Sequence, residues 1–315
     1  MNQPMLWDKK RYHNLNYYLR QKYGHKVFKI SLDAGFTCPN RDGTLSTQGC
    51  LFCSARGSGD FAGDRKKGLK EQFDQVKQMM HKKWAQGKYI AYFQAFTNTY
   101  APVEELRKIY SFALQQADVV GLAIATRPDC LPDKVLDLLA DFNQQTNLWI
   151  ELGLQTIHPQ TARLVNLQYD YNTFQAALFE LQKRNIETCA HIILGLPGES
   201  YDDMLETGKK IASLPLQGLK IHLLHLMKGT PLLKLYQEKP FKIISEAQYT
   251  KLVVDILEIL PPEMVIHRLT GDSPRDLLIE PRWSLNKWEV LNRIDKELVT
   301  RNTWQGKKSI QKVND

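Results

Sequence analysis

The sequence contains no stretch of about eighteen consecutive apolar residues, which excludes a conventional membrane-spanning helix. Its opening segment, MNQPMLWDKKRYHNL, has no apolar core of the roughly seven residues that a secretory signal needs, so a cytoplasmic protein with no membrane partner is expected. Internal repeats, low-complexity tracts and an evident inter-domain linker are also missing, so one domain with appended ends is expected. Cysteine is scarce, at five in 315 residues. With so few cysteines and no signal, a disulfide framework is not expected. What remains is 43% hydrophobic and 24% charged, ordinary globular material with enough chain for one barrel-sized domain or two smaller ones.

Three of the five cysteines fall in one loop, DAGFTCPNRDGTLSTQGCLFCS, as Cys38, Cys50 and Cys53, with the spacing C-x11-C-x2-C. Thiolates are soft ligands that favour iron-sulfur clusters or zinc. Three of them can hold three corners of a four-iron, four-sulfur cube and leave the fourth iron open to a substrate or cofactor, as a vacant position does in catalytic zinc sites. A closed zinc site needs a fourth ligand, and none lies within the loop: the nearest histidines are His25 and His81. Cys189, inside an apolar run, reads as core. Cys130, after Arg127-Pro128-Asp129, reads as nearer a rim.

The net charge of +8 is unevenly spread: residues 1–88 carry 17 Lys/Arg against 7 acids, and residues 89–315 carry 25 against 27. A basic quarter interleaved with Trp7, Tyr12, Tyr17, Tyr18 and Tyr23 has the composition of a nucleic-acid surface, although each basic run by itself reads as a solvated face.

Apolar runs at 26–32, 89–95, 119–126, 147–154, 187–194 and 219–226 predict buried parallel strands. Helical patterns over 68–86, 102–117, 132–145, 172–185 and 200–213 alternate with them, the last four opened by Pro102, Pro132, Asn172 and Ser200. The expected fold is α/β: a partial (βα)6 TIM-like barrel over 26–244, with a basic N-terminal extension at 1–25 and a C-terminal extension at 245–315. That extension, with a helix over 245–260 and a strand over 264–269, is expected to close the barrel's open side. The cysteine loop follows the first strand, so it falls on the rim where such barrels keep their chemistry.

Taken together, the cysteine loop with Phe52, Thr-Arg-Pro-Asp at 126–129, Glu-Leu-Gly-Leu-Gln at 151–155, His-Ile-Ile-Leu-Gly-Leu-Pro-Gly-Glu at 191–199 and Lys-Gly-Thr-Pro-Leu at 228–232 resemble the radical S-adenosylmethionine (SAM) superfamily. Within it, the chain resembles the branch of the elongator-type catalytic subunit and oxygen-independent coproporphyrinogen oxidase, and most closely a bacterial family of radical SAM proteins. The likeness runs from about residue 10 to residue 306 and includes Leu269-Thr270-Gly271-Asp272 and Gln305-Gly306.

The resemblance implies a [4Fe-4S] cluster on Cys38, Cys50 and Cys53, and SAM as cofactor. It also implies a one-electron donor such as flavodoxin or ferredoxin. Phe52, Gln94, Thr97, Asn98, Gln155, His191, Gly195 and Leu196 are the implied cofactor neighbours. One departure stands out: relatives read Asn-Arg-Gly-His where this chain has Asn166-Leu167-Gln168-Tyr169, losing an arginine suited to the cofactor's carboxylate. Arg127 and Arg163 are the candidates to replace it. The resemblance further suggests tRNA as partner, with the C5 side chain of the wobble uridine as the reacting group. A small carboxylate-bearing substrate and a zinc-stabilised RNA-binding protein are the competing readings.

Overall fold

The computed structural model describes residues 3–81 and 87–309. Its strands are β1 (Val27–Leu32), β2 (Lys88–Phe93), β3 (Val119–Thr126), β4 (Asn147–Gln155), β5 (Glu187–Leu194), β6 (Gly218–Leu223), β7 (Leu226–Met227), β8 (Val265–Arg268) and β9 (Leu278–Glu280). The helices are α1 (Leu15–Tyr23), α2 (Leu69–His81), α3 (Val103–Leu114), α4 (Asp133–Gln145), α5 (Pro159–Leu164), α6 (Tyr171–Lys183), α7 (Tyr201–Ala212), α8 (Pro231–Glu238), α9 (Glu246–Ile259) and α10 (Lys287–Thr300).

Strands β1 to β6 pair in sequence order, all parallel, and β8 pairs parallel with β6. The curled half-barrel therefore has seven strands where the core alone predicts six. The strand expected over 219–226 is divided. The Leu224 amide still reaches the Leu194 carbonyl at 2.9 Å, after which the chain leaves the sheet and Leu226 pairs with Glu280. The expected last turn of the 68–86 helix, at 82–86, lies outside the described residues.

Local chemistry sets the helix starts. The Asp170 side chain accepts from the Thr173 amide, and Ser200 with Asp203 forms a reciprocal capping box, each satisfying amides that a helix leaves unpaired. Alternation along the strands then sorts the side chains. Ile30, Phe93, Leu122, Ile150, Leu152, Ile192 and Ile221 face the helices in the main core. Val27, Tyr92, Ala123, Ala125, Trp149 and Cys189 form a smaller cluster inside the curl.

The base of the barrel, at the N-terminal ends of the strands, is covered by α1. Tyr18 donates to Glu187 and Lys22 to Asn147, the first residues of β5 and β4, and Asn14 bridges to Ile266 in β8. Lys10 is spent on Asp295, and Arg11 donates to the carbonyls of Leu298 and Thr303. These cations therefore belong to the base. Arg41, Arg56 and Arg65 belong instead to the segment around the cysteine loop. The single basic surface read from residues 1–88 is two surfaces at opposite ends of the strands.

Gln305 fastens this base. Its side chain, fully buried, accepts from the His13 amide at 2.9 Å and donates to the carbonyls of Pro261 and Met264 at 2.7 and 2.8 Å. Gly306 follows at φ +83°, where an added Cβ would stand 2.9 Å from Pro262, so only glycine fits. Gln305→Leu keeps the volume but leaves buried backbone groups unpaired. It should lower unfolding free energy by about 2–4 kcal/mol, read as a lower urea midpoint at unchanged m-value.

Candidate active site

The cysteine loop is held from several sides. Buried Asp33 accepts from the Gly35 amide and from Arg65, whose Nη2 also reaches the Phe36 carbonyl at 2.8 Å. The Asn40 side chain donates to the Asn166 carbonyl at 2.7 Å, and the Asn166 side chain donates back to the Gly49 carbonyl at 2.8 Å. Arg41 donates to the carbonyls of Cys53 and Ser54. Beneath the loop, Leu167 is fully buried in an apolar cluster with Val165, Leu226 and Leu232, against which Cys50 and Phe52 pack. An arginine at 167 would put its charge into that cluster, so the departure at Leu167 is a packing exchange.

Cys38, Cys50 and Cys53 are half-buried and all line one cavity of about 620 Å³. Cys53 donates to Cys50, and this bond, opposed by burial and helped by nearby Arg127, brings the Cys50 thiol down to about 7. Cys53, as the donor, is held up. The three sulfurs do not form a tight set: among the described residues, the only group of three such ligands within 4.8 Å of one another is His158, Asp203 and Glu206. A zinc ion with Zn–S near 2.3 Å would hold thiolates about 3.8 Å apart. Cys50 and Cys53 are within hydrogen-bond reach of each other, so it is Cys38 that stands off, more than 4.8 Å from at least one of them.

Phe52, Gln94, Thr97, Arg127, Gln155 and His191 line the same cavity. Gln155 ends β4 in a left-handed conformation, φ +68°, immediately after a register shift at Gly153. A non-glycine residue held there stores about 1–3 kcal/mol of strain, as is common at functional sites. Arg127 is buried, paired with Asp129 at 2.6 and 2.9 Å, and its guanidinium lies 4.8 Å from the centre of the Tyr169 ring. Its Nη1 has no partner.

Asn98, Arg163, Gly195 and Leu196 do not line the cavity. Asn98 is buried behind it, its side chain donating to the Ala125 carbonyl at 2.8 Å and its own carbonyl taking the Tyr110 hydroxyl. Arg163 is exposed near the end of short α5. The Gly195 amide meets the Met204 sulfur, and Leu196 belongs to the apolar cluster under the loop. Cys130 and Cys189 are buried, outside the cavity, and burial pushes both thiols up.

The residues that sequence reading missed sit on the inward face. Glu151, buried on β4, accepts from Lys220 at 2.6 Å, Lys29 at 2.5 Å, Tyr92 at 2.6 Å and His191 at 3.0 Å. Burial alone would push this carboxylate up; Lys220 and Lys29 reverse that and hold it well below the usual range. Burial takes Lys220 down to about 8 and His191 to about 3, so His191 is neutral. With its Nε2 proton donated to Glu151, His191 keeps Nδ1 as an acceptor. Alternation was the available signal: Lys220 and His222 interrupt the apolar β6 at every second residue. A larger groove, about 1490 Å³, lies at the barrel base and includes none of the three loop cysteines.

A Radical SAM superfamily model matches residues 42–211, and a Radical SAM C-terminal domain model matches residues 216–300. The Bacillus subtilis protein YtqA is 58% identical over 304 residues, covering 96% of this chain and 94% of that protein. A tRNA uridine(34) acetyltransferase of Dehalococcoides mccartyi is 27% identical over 175 residues, covering 55% of this chain and 37% of that protein. Among solved structures, the archaeal Methanocaldococcus infernus Elp3 superposes with a TM-score of 0.65 at 15% identity, over 89% of this chain and 64% of that one, a likeness of fold. The two family models divide the chain between the barrel that carries the cysteine loop and the segment that adds its seventh strand, and the chain belongs to the radical SAM superfamily as a radical SAM enzyme.

Proposed function

We propose that this chain holds a [4Fe-4S] cluster on Cys38, Cys50 and Cys53, binds SAM across the adjoining cavity, and shortens the C5 side chain of the tRNA wobble uridine from carboxymethylaminomethyl to aminomethyl. The observation that carries the first part is the shared cavity: the three cysteines line it together with Arg127, whose buried Nη1 has no partner. Bound there, the cluster supplies the electron that splits SAM into methionine and a 5′-deoxyadenosyl radical.

The chain's own residues bind and orient. Arg127, kept charged by Asp129, offers Nη1 to the carboxylate of SAM. His191, neutral and fixed by Glu151, offers Nδ1 to a ribose hydroxyl. Thr97 and Gln155 flank the same space. Replacing Cys38, Cys50 or Cys53 by Ala should abolish iron retention after anaerobic reconstitution, while Cys130→Ala and Cys189→Ala keep it, measured as iron per chain and visible absorbance. Because a hydrogen bond to a charged group is worth about 1.5–3 kcal/mol, Arg127→Ala should raise the Kd for SAM roughly 10- to 150-fold. Arg163→Ala should leave it unchanged; the reverse pattern, by equilibrium dialysis, would transfer the role to Arg163.

The substrate reading rests on the likeness to a protein whose name is tRNA uridine(34) acetyltransferase. Unpaired anticodon bases can be splayed into a pocket at modest unstacking cost. The CH2 between the side-chain amine and the carboxylate gives up a hydrogen atom to the 5′-deoxyadenosyl radical, forming 5′-deoxyadenosine. The carbon radical then loses one electron to a small carrier of the flavodoxin or ferredoxin class, the class that also delivers the first electron. Water adds to the resulting iminium, and the carbon–nitrogen bond breaks to leave aminomethyl and glyoxylate. Exposed Arg56 and Lys66, on the cysteine-loop side, are the cations suited to flanking phosphates.

The test is mass spectrometry of wobble nucleosides from cells with and without the gene, then incubation of the deficient tRNA with reduced enzyme and SAM. The expected result is accumulation of carboxymethylaminomethyluridine without the gene, and its conversion in vitro with one 5′-deoxyadenosine per product. Identical profiles with no conversion would remove the wobble reading.

A further inference from the structure

His222, His225 and Arg268 line the cavity but have no part in holding the cluster or SAM as described above. His222 stands on β6, His225 three residues on, and Arg268 ends β8. The Nε2 atoms of both histidines are buried and have no hydrogen-bond partner. Burial holds His222 well below its ordinary range and takes His225 down to about 4, so both rings are neutral. A neutral imidazole carries one proton. Leaving a sealed N–H unpaired costs more than leaving a lone pair, so the proton belongs on Nδ1 in each ring.

Both Nδ1 atoms lie close to Gly271. A Cβ added to Gly271 would stand 3.5 Å from Nδ1 of His222, 3.5 Å from Nδ1 of His225 and 2.9 Å from Cε1 of His225. Glycine at 271 therefore lets both rings pack against the backbone there, beside the cavity that His222 and His225 line. Beside it, Arg268 reaches Asp272 at 3.3 Å, and Asp272 is also taken by Lys287 at 2.7 Å. The two cations and one carboxylate leave one net positive charge. Two N–H donors and a single net charge suit a planar monoanion better than a doubly charged phosphate.

We propose that His222, His225 and Arg268 form a substrate subsite that takes one carboxylate and so positions the adjacent CH2 for hydrogen abstraction. This rests on the reading above that the substrate carries a carboxymethylamino group, and it deepens that reading by naming the groups that would select for it. The shared chemistry is the N-substituted glycine carboxylate, whether on RNA or on a free small molecule.

The test uses the reconstituted full chain under anaerobic conditions, with an anticodon stem-loop bearing carboxymethylaminomethyluridine and the same RNA bearing the carboxamide. Wild type should bind the carboxylate RNA at least about tenfold more tightly. Arg268→Gln should erase that preference by weakening the carboxylate RNA alone, and His222→Gln and His225→Gln should each narrow it. Arg268→Lys, which keeps the charge but loses the fork, should restore part of it, and it carries the test if Arg268→Gln does not fold. A structural role would weaken both RNAs alike, and a preference that persists in Arg268→Gln overturns the subsite. Sarcosine is the small-molecule arm. If it binds wild type and not Arg268→Gln while neither RNA binds, the subsite stands and the wobble reading fails. If the carboxylate RNA is converted equally by wild type and Arg268→Gln, the subsite fails and the wobble reading stands.

Discussion

The inside of the barrel depends on one carboxylate. Removing Glu151 from water costs several kcal/mol, and the attraction of a single cation offsets that only with good geometry and full hydrogen bonding. Glu151 has both: two lysines from β1 and β6, a tyrosine from β2 and a histidine from β5 converge on its two oxygens. Four strands are thereby tied to a fifth at the level where apolar packing gives way to the cavity. His191 receives its tautomer from this network, so the interaction that holds the sheet's curl also sets the chemistry of the surface above it.

The strands were legible because a parallel sheet covered on both faces reads as apolar runs, and 119–126 and 187–194 became β3 and β5 without adjustment. The cysteine loop was legible because its ligands are close in sequence. His222, His225 and Arg268 were not. Each is a polar residue in or beside a short apolar strand, the histidines lie more than forty residues from Arg268, and the pairing of β8 with β6 joins them. Asn98 and Leu196 mark a limit of motif reading: a motif places a residue near a strand end but does not say which way its side chain faces. The basic quarter misled for a geometric reason. A six-residue strand spans about 20 Å, so cations before and after β1 end on opposite ends of the barrel.

Leu167 belongs to the floor of the cysteine loop. With a hydrocarbon side chain there, the floor under Cys50 and Phe52 is sealed by packing, and water is kept from that side of the loop. Arg127, on the end of the neighbouring strand, is buried beside the same cavity and keeps one nitrogen free because Asp129 engages the other two.

The latch at Gln305 has a consequence for how the molecule is made. Synthesis runs from the N-terminus, and domains begin to form as chain becomes available. Cys53 is made about 210 residues before β8 and about 250 before Gln305. Until then α1 has neither its neighbour strand nor the side chain that pins His13, and β6 presents an unpaired edge. A chain made only as far as β6 therefore carries the cysteine loop in a barrel still open along one side, and β8 with Gln305 then closes the base beneath it.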